Sequence, residues 1–129
     1  MKSNWLGHFG IAAILLLAAI PAWAHHGNSD YDSKNVMTVH ATVTQFLFVN
    51  PHCLIFFDIK NADGKMENWA GEMPPPGLLA RRSGWTKDTV KPGDEITVIG
   101  SPTKNGSHNM QIKKIVLADG TEMPGTMII

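Results

Sequence analysis

The sequence predicts an all-β fold with one short helix: a five-stranded OB-like small barrel with the element order β-β-β-α-β-β. Three observations carry that expectation. Five strand-like runs follow one another, the first with apolar residues at every second position and β-branched enrichment. The one helical stretch falls in a proline-marked break between the third and fourth of those runs. The first run is long and changes pattern midway, as does a first strand that serves both halves of a small barrel. A small sandwich is the competing architecture.

Taken in order, Met37, Val39, Ala41 and Val43 alternate with Thr38, His40, Thr42 and Thr44, which defines the first strand. It continues through Phe46-Leu47-Phe48-Val49, where the alternation is lost, and Asn50-Pro51 interrupts it. A second strand is predicted over His52 to Lys60. Asn61-Ala62-Asp63-Gly64 is a hairpin connection into a third strand from Lys65 to about Gly71. Pro74-Pro75-Pro76 stops any strand, and Gly77 to Ser83 can form a short helix closed by Gly84. Lys91-Pro92-Gly93-Asp94 makes a turn into a fourth strand, Glu95 to about Pro102. Asn105-Gly106 is the strongest hairpin signal in the chain and leads into a fifth strand, His108 to Leu117, which Ala118-Asp119-Gly120 closes.

Residues 1–24 carry the pattern of a cleavable signal peptide. Lys2 gives a basic start, Phe9 to Ile20 an apolar run, and Pro21-Ala22-Trp23-Ala24 a small-x-small end. The run is too short for the roughly 20 residues that span a bilayer. The expected product is therefore periplasmic or secreted, with no stable membrane span after cleavage. A single domain is expected over residues 25–129, with an N-terminal arm at 25–35 that is short, polar and rich in Gly, Asn, Ser and Asp.

Charge narrows the partners. The whole chain balances 11 Lys+Arg against 11 Asp+Glu, and loss of Lys2 with the leader leaves the remainder near −1. With the basic residues scattered apart from Arg81-Arg82 and Lys113-Lys114, no stripe tracks a phosphate backbone, and nucleic acid is not an expected partner. The single cysteine, Cys53, allows no internal disulfide and sits in an apolar run as a small buried hydrophobe.

Cleavage after Ala24 would give His25 a free α-amino group beside its imidazole, a pair able to chelate one ion. An α-amine titrates near 7.7–8.0 and an imidazole near 6.5, so both are largely neutral at mildly alkaline pH. Imidazoles suit copper, zinc and nickel, and divalent affinity peaks at copper. The candidate ligands are His25, His26 and His52, the last at a strand start after a proline turn, with His40 and His108 as further candidates. A second candidate site is aromatic and charged: Trp69, Glu72, Arg82 and Trp85, around the proline-rich connection, could line a pocket for a small ligand. The plainer reading is that both tryptophans pack the barrel bottom while Arg82 pairs with Glu72. The methionines at 37, 66, 73, 110, 123 and 127 form no tight cluster for Cu(I) and are expected in ordinary core and surface roles.

The elements Ala24-His25-His26, Asn50-Pro51-His52, Arg81-Arg82-Ser83-Gly84-Trp85 and Lys91-Pro92-Gly93-Asp94 together resemble a family of small secreted bacterial proteins known as domain of unknown function 6152. Members look like this chain in a leader ending before His-His, a strand ending in Asn-Pro-His, and a Trp/Glu strand before the helix, here Trp69-Ala70-Gly71-Glu72. The residue after His-His is often serine in that family and is Gly27 here, so position 27 takes no hydroxyl role. The resemblance implies export and a set of positions, and no activity.

No enzyme motif is present: there is no Gly-x-Ser-x-Gly elbow, phosphate loop or His-Glu-x-x-His. Glu67 and Glu72, five apart, face opposite sides of a continuous strand and make no acid/base pair. Two expectations remain. One is an exported, non-enzymatic binding protein that takes a transition metal, copper first, through its N-terminal histidines. The other is a metal-free accessory module that binds an envelope protein or a small ligand.

Overall fold

The computed structural model describes residues 28–126; the leader, His25, His26 and Met127 lie outside the described residues. β1 (Met37–Leu47), β2 (Cys53–Lys60), β3 (Met66–Met73), α1 (Pro76–Ser83), β4 (Glu95–Pro102) and β5 (Asn109–Val116) follow in the expected order. A 3-10 turn, Asn28–Asp30, precedes them. A short β6 (Glu122–Pro124), not expected from the sequence, pairs with the far edge of β5.

The sheet runs β3-β2-β1-β4-β5-β6, and a parallel pairing of β3 with β5 closes it into a five-stranded barrel. The double use of β1 makes closure possible. Its first half, Met37 to Thr42, pairs with β4, and Thr42 to Leu47 pairs with β2. The register slips between Val43 and Gln45, so Thr44 is the extra residue of a bulge that bends the strand from one half of the barrel to the other. This bend is what the change of pattern in the sequence announces.

Strict alternation on β2 sends Cys53, Ile55, Phe57 and Ile59 inward, to meet Val43, Val98, Met110, Ile112 and Ile115 from the other strands. Each fully buried aliphatic or aromatic side chain contributes roughly 1.5–3 kcal/mol. α1 plugs one end. Pro76 opens it, and Gly84 ends it with its N–H donating to the Ala80 carbonyl. Leu79 and Trp85 are delivered to the core, where the Trp85 ring lies 5.7 Å from Phe46 and its indole N–H donates to the Pro124 carbonyl at 2.8 Å.

Two glycines permit close packing in the barrel wall, one at the seam and one between β4 and β5. A side chain at Gly71 on β3 would collide with Ile112 and Ile55, and a Cβ at Gly100 on β4 would lie 2.6 Å from the Gln111 carbonyl oxygen of β5. Beside Gly100 the β4–β5 register shifts, and Ser101 is turned inward with its hydroxyl buried and without a hydrogen-bond partner.

The arm is strapped to the barrel along the end of β4. Tyr31 bridges Thr103, Asp32 N–H donates to the Pro102 carbonyl at 2.8 Å, and Lys104 N–H donates to the Asp30 carbonyl at 2.9 Å.

Gly100→Ala is expected to destabilise the fold by about 1–3 kcal/mol, because the obstructing atom is main chain and cannot rotate away. Ser101→Ala is expected to raise stability by roughly 1 kcal/mol, since it removes a buried hydroxyl that makes no bond. Urea midpoints of both variants check this; a fall for Ser101→Ala would show that the hydroxyl is bonded in solution.

Candidate functional site

The barrel seam, the arm and the entry to α1 meet around a cleft of about 360 Å³. Its polar side is Tyr31, His52, Glu72 and Gln111, and its apolar side includes Met73, Pro74, Pro75 and Leu78. Each polar residue arrives by a separate route. His52 immediately precedes β2, after the cis Asn50–Pro51 peptide. On β3, Trp69, Gly71 and Met73 fill the inward row, so Glu72 points outward. Gln111 is the register partner of Glu72 across the parallel seam. Tyr31 comes from the arm.

Glu72 is the hub. One oxygen accepts a hydrogen bond from the Tyr31 hydroxyl at 2.7 Å, and the other lies 3.1 Å from His52 Nδ1. The side chains of His52 and Glu72 are 42% and 20% exposed, so the pair sits at a wet rim over a drier floor. Burial, then the hydrogen bond and negative charge of Glu72, push the Tyr31 hydroxyl far above its usual value of 10. Tyr31 is thus a phenol donor at every physiological pH.

The expected pocket of Trp69, Glu72, Arg82 and Trp85 is divided by the fold, and only Glu72 lines the cleft. Trp69 stands three residues from Glu72 on one strand and therefore points to the other face. Trp85, just past α1, is buried against Phe46, and Arg82 lies exposed on that helix. Of the expected ligands, His52 alone falls among the described residues. The other described histidines stand apart from the cleft: His40 faces Thr97 Oγ1 at 3.1 Å, and His108 stacks on Trp69. Among the described residues no three His, Cys, Asp or Glu side chains gather as a metal-holding group. Met73 and Met110 are core residues, Met37 and Met123 pack against the core, and Met66 is 61% exposed. Cys53 is fully buried, and burial pushes its thiol up to about 11, against a smaller lowering by a backbone hydrogen bond at Val49, so it is inert at neutral pH. Tyr31 and Gln111 were not expected at a site. A lone Tyr in a polar arm carries no periodic signal, and Gln111 gains its place only from strand pairing across the seam.

A second polar cluster stands nearer the start of β3. Glu67 accepts hydrogen bonds from Asn61 Nδ2 at 2.8 Å and from the Trp69 indole at 3.0 Å, and His108 Nε2 lies 3.6 Å away. The His108 ring stacks on Trp69 with centroids 5.0 Å apart and planes at 12°. The Asn61 and Trp69 bonds, with a smaller effect from His108, hold the Glu67 carboxyl below its usual 4.5.

A folded-state value below the unfolded one stabilises above pH 4.5 and is lost as pH falls through the lower folded value. Wild type is therefore expected to lose more stability between pH 5 and pH 3 than Glu67→Gln does. Urea midpoints at the two pH values measure this; equal losses would show that the network does not favour the ionised carboxylate.

No helix of the described residues is long and apolar enough to cross a membrane. No curated protein matches the chain. Among solved structures, one similar chain is described as "Crystal structure of tRNA fluorescent labeling enzyme". It is 17% identical, with 67% of this chain and 18% of that chain covered at a TM-score of 0.43, and a likeness of that degree carries no inference about function. The family model described as "Family of unknown function (DUF6152)" matches residues 13–111. That match includes His52, Glu72, the helix and the seam as far as Gln111, and the chain belongs to this family of unknown function.

Proposed function

We propose that this is an exported, periplasmic binding protein that holds copper through the amino group and imidazole of His25, with His26 and His52 as the neighbouring ligands. The observation that carries the reading is the sharing of Glu72 by the arm and by His52: Tyr31 and His52 contact the two oxygens of one carboxylate. The chain that bears the N-terminal histidines is thus anchored at the cleft that holds the third. Five chain steps join His26 to Tyr31 and six join His25 to it, so the leading histidines are close in sequence to a tyrosine that lines the cleft. Glu72 takes His52 Nδ1, and such a carboxylate contact is the usual companion of a ligating imidazole.

The apolar wall of Met73, Pro74, Pro75 and Leu78 supports a second reading, a metal-free module that takes a small ligand in the cleft.

Titration of the metal-free protein, produced with its own leader so that His25 is the terminus, separates the two. Cu(II) is expected to bind, with occupancy falling as pH drops through about 6, because the ligands must lose protons first. One extra residue ahead of His25 converts the amine to an amide and is expected to abolish tight binding with every imidazole still present. His52→Ala is expected to weaken binding, and His108→Ala to leave it unchanged, since that ring is held in the Trp69 stack. Equal affinity for the native and extended termini would overturn the amino-terminal site and favour the metal-free reading.

A further inference from the structure

We propose that Asn105-Gly106 is a self-modifying site: the Asn105 side chain closes onto the Gly106 nitrogen, loses ammonia and opens with water to aspartate and isoaspartate, which loosens the arm from the barrel. Among the asparagines of the chain, Asn105 alone is followed by glycine. A following residue without a Cβ leaves its nitrogen open to attack. The other asparagines precede residues that carry side chains, and Pro51 after Asn50 has no N–H at all.

The turn presents the reacting groups. Asn105 and Gly106 are exposed between β4 and β5, and Gly106 has a φ of 78° with open space where a Cβ would stand. Asn105 Oδ1 accepts a hydrogen bond from Ser107 N–H at 3.0 Å, which polarises the side-chain carbonyl and aims a donor at the oxygen on which charge develops during attack. Gly106 N–H and Asn105 Nδ2 donate to no acceptor among the described residues, so neither the nucleophile nor the leaving nitrogen is tied down. Asn61 is the contrast: its Oδ1 accepts from Asp63 and Lys65 N–H, its Nδ2 donates to Glu67, and Ala62 follows it.

The Gly106 nitrogen gives its proton to solvent and attacks Asn105 Cγ. A new N–Cγ bond forms, and Nδ2 departs as ammonia with a proton from water. Both partners sit on neighbouring residues, so the closure is intramolecular. Water then opens the cyclic imide. Cleaving the new bond leaves aspartate, whereas cleaving the bond from the Asn105 main-chain carbonyl carbon to the Gly106 nitrogen leaves isoaspartate, whose main chain runs through Cβ and Cγ. Either product adds a negative charge, and isoaspartate also lengthens the turn by a methylene.

This turn is where the arm is fastened. Lys104 N–H donates to the Asp30 carbonyl at 2.9 Å, Thr103 bridges Tyr31, and Thr103 Oγ1 donates to the Ser107 carbonyl at 3.0 Å. A methylene inserted between residues 105 and 106 displaces Ser107 against Thr103 and weakens these bonds. Tyr31, which donates to Glu72, is then held less firmly, so a change in an exposed turn reaches the cleft.

Ageing of the purified protein in mildly alkaline buffer tests this. Peptide mapping by mass spectrometry, with isoaspartate detected by enzymatic methylation, is expected to find conversion at Asn105 well ahead of the other asparagines. Asn105→Gln is expected to block it, because the longer side chain closes a larger ring slowly. Amide hydrogen exchange reads the arm. Asp32 N–H, which donates to the Pro102 carbonyl at 2.8 Å, and Lys104 N–H are expected to exchange several-fold faster in aged than in fresh wild type. Aged and fresh Asn105→Gln are expected to exchange alike. Conversion at Asn105 no faster than at the other asparagines would overturn the site. Conversion at Asn105 with exchange at Asp32 and Lys104 unchanged would overturn its link to the arm.

Discussion

Closure of the barrel at the β3–β5 seam is the constraint on which the rest of the structure depends. Ala70, Gly71 and Glu72 run parallel to Asn109, Met110 and Gln111. Without that pairing, β3 would be an open edge with unpaired backbone groups. With it, Glu72 and Gln111 become neighbours although they lie on strands far apart in sequence. The seam tolerates no side chain at Gly71, where Ile112 and Ile55 already fill the space, and the backbone of β5 leaves no room for one at Gly100. Gly71 thus lets β3 and β5 pair, and Glu72 and Gln111 on those two strands stand on the polar side of the cleft.

The arm is the second part of that arrangement. An N-terminal segment of mostly polar residues has little apolar area to bury, and its order needs specific bonds. Tyr31 supplies both burial and a bond: its ring is enclosed, its backbone bridges Thr103, and its hydroxyl ends on Glu72. Burial and Glu72 push the titration of the hydroxyl upward, which favours the protonated form that donates in this bond. The arm and the rim of the barrel thus form one structural unit at the cleft.

The parts of the fold that repeat locally were legible in the sequence. Alternation on the first strand, the apolar run of the second, the Asn105-Gly106 turn and the proline-started helix each follow from residues that are neighbours along the chain. β6 was not legible, because Glu122-Met123-Pro124 is short and includes a proline; it is recruited by backbone bonds such as Gly125 N–H to the Lys113 carbonyl. The need for glycine at positions 71 and 100 was hidden for the same reason, since it is set by residues facing them across the sheet. His52 and Glu72 were both singled out, but in different candidate sites, and only the folded chain puts them 3.1 Å apart. Parity alone separates Trp69 from Glu72, because three positions on a strand reverse the face.

The same parity bears on what the outer surface of β2 and β3 can receive. In barrels of this class that face is a common binding surface for oligonucleotides. Here its outward row on β2 is Leu54, Phe56, Asp58 and Lys60, and on β3 it is Met66, Asn68, Ala70 and Glu72. This row carries two carboxylates, Asp58 and Glu72, and one ammonium, Lys60, and Asp58 accepts a hydrogen bond from Asn68 at 2.8 Å. Leu54 and Phe56 on this row are partly exposed. The acidic residue at the end of this face is Glu72, whose oxygens are directed to Tyr31 and His52. On this face the carboxylate of Glu72 is thus turned toward two groups that prefer a negative neighbour, a phenol and an imidazole.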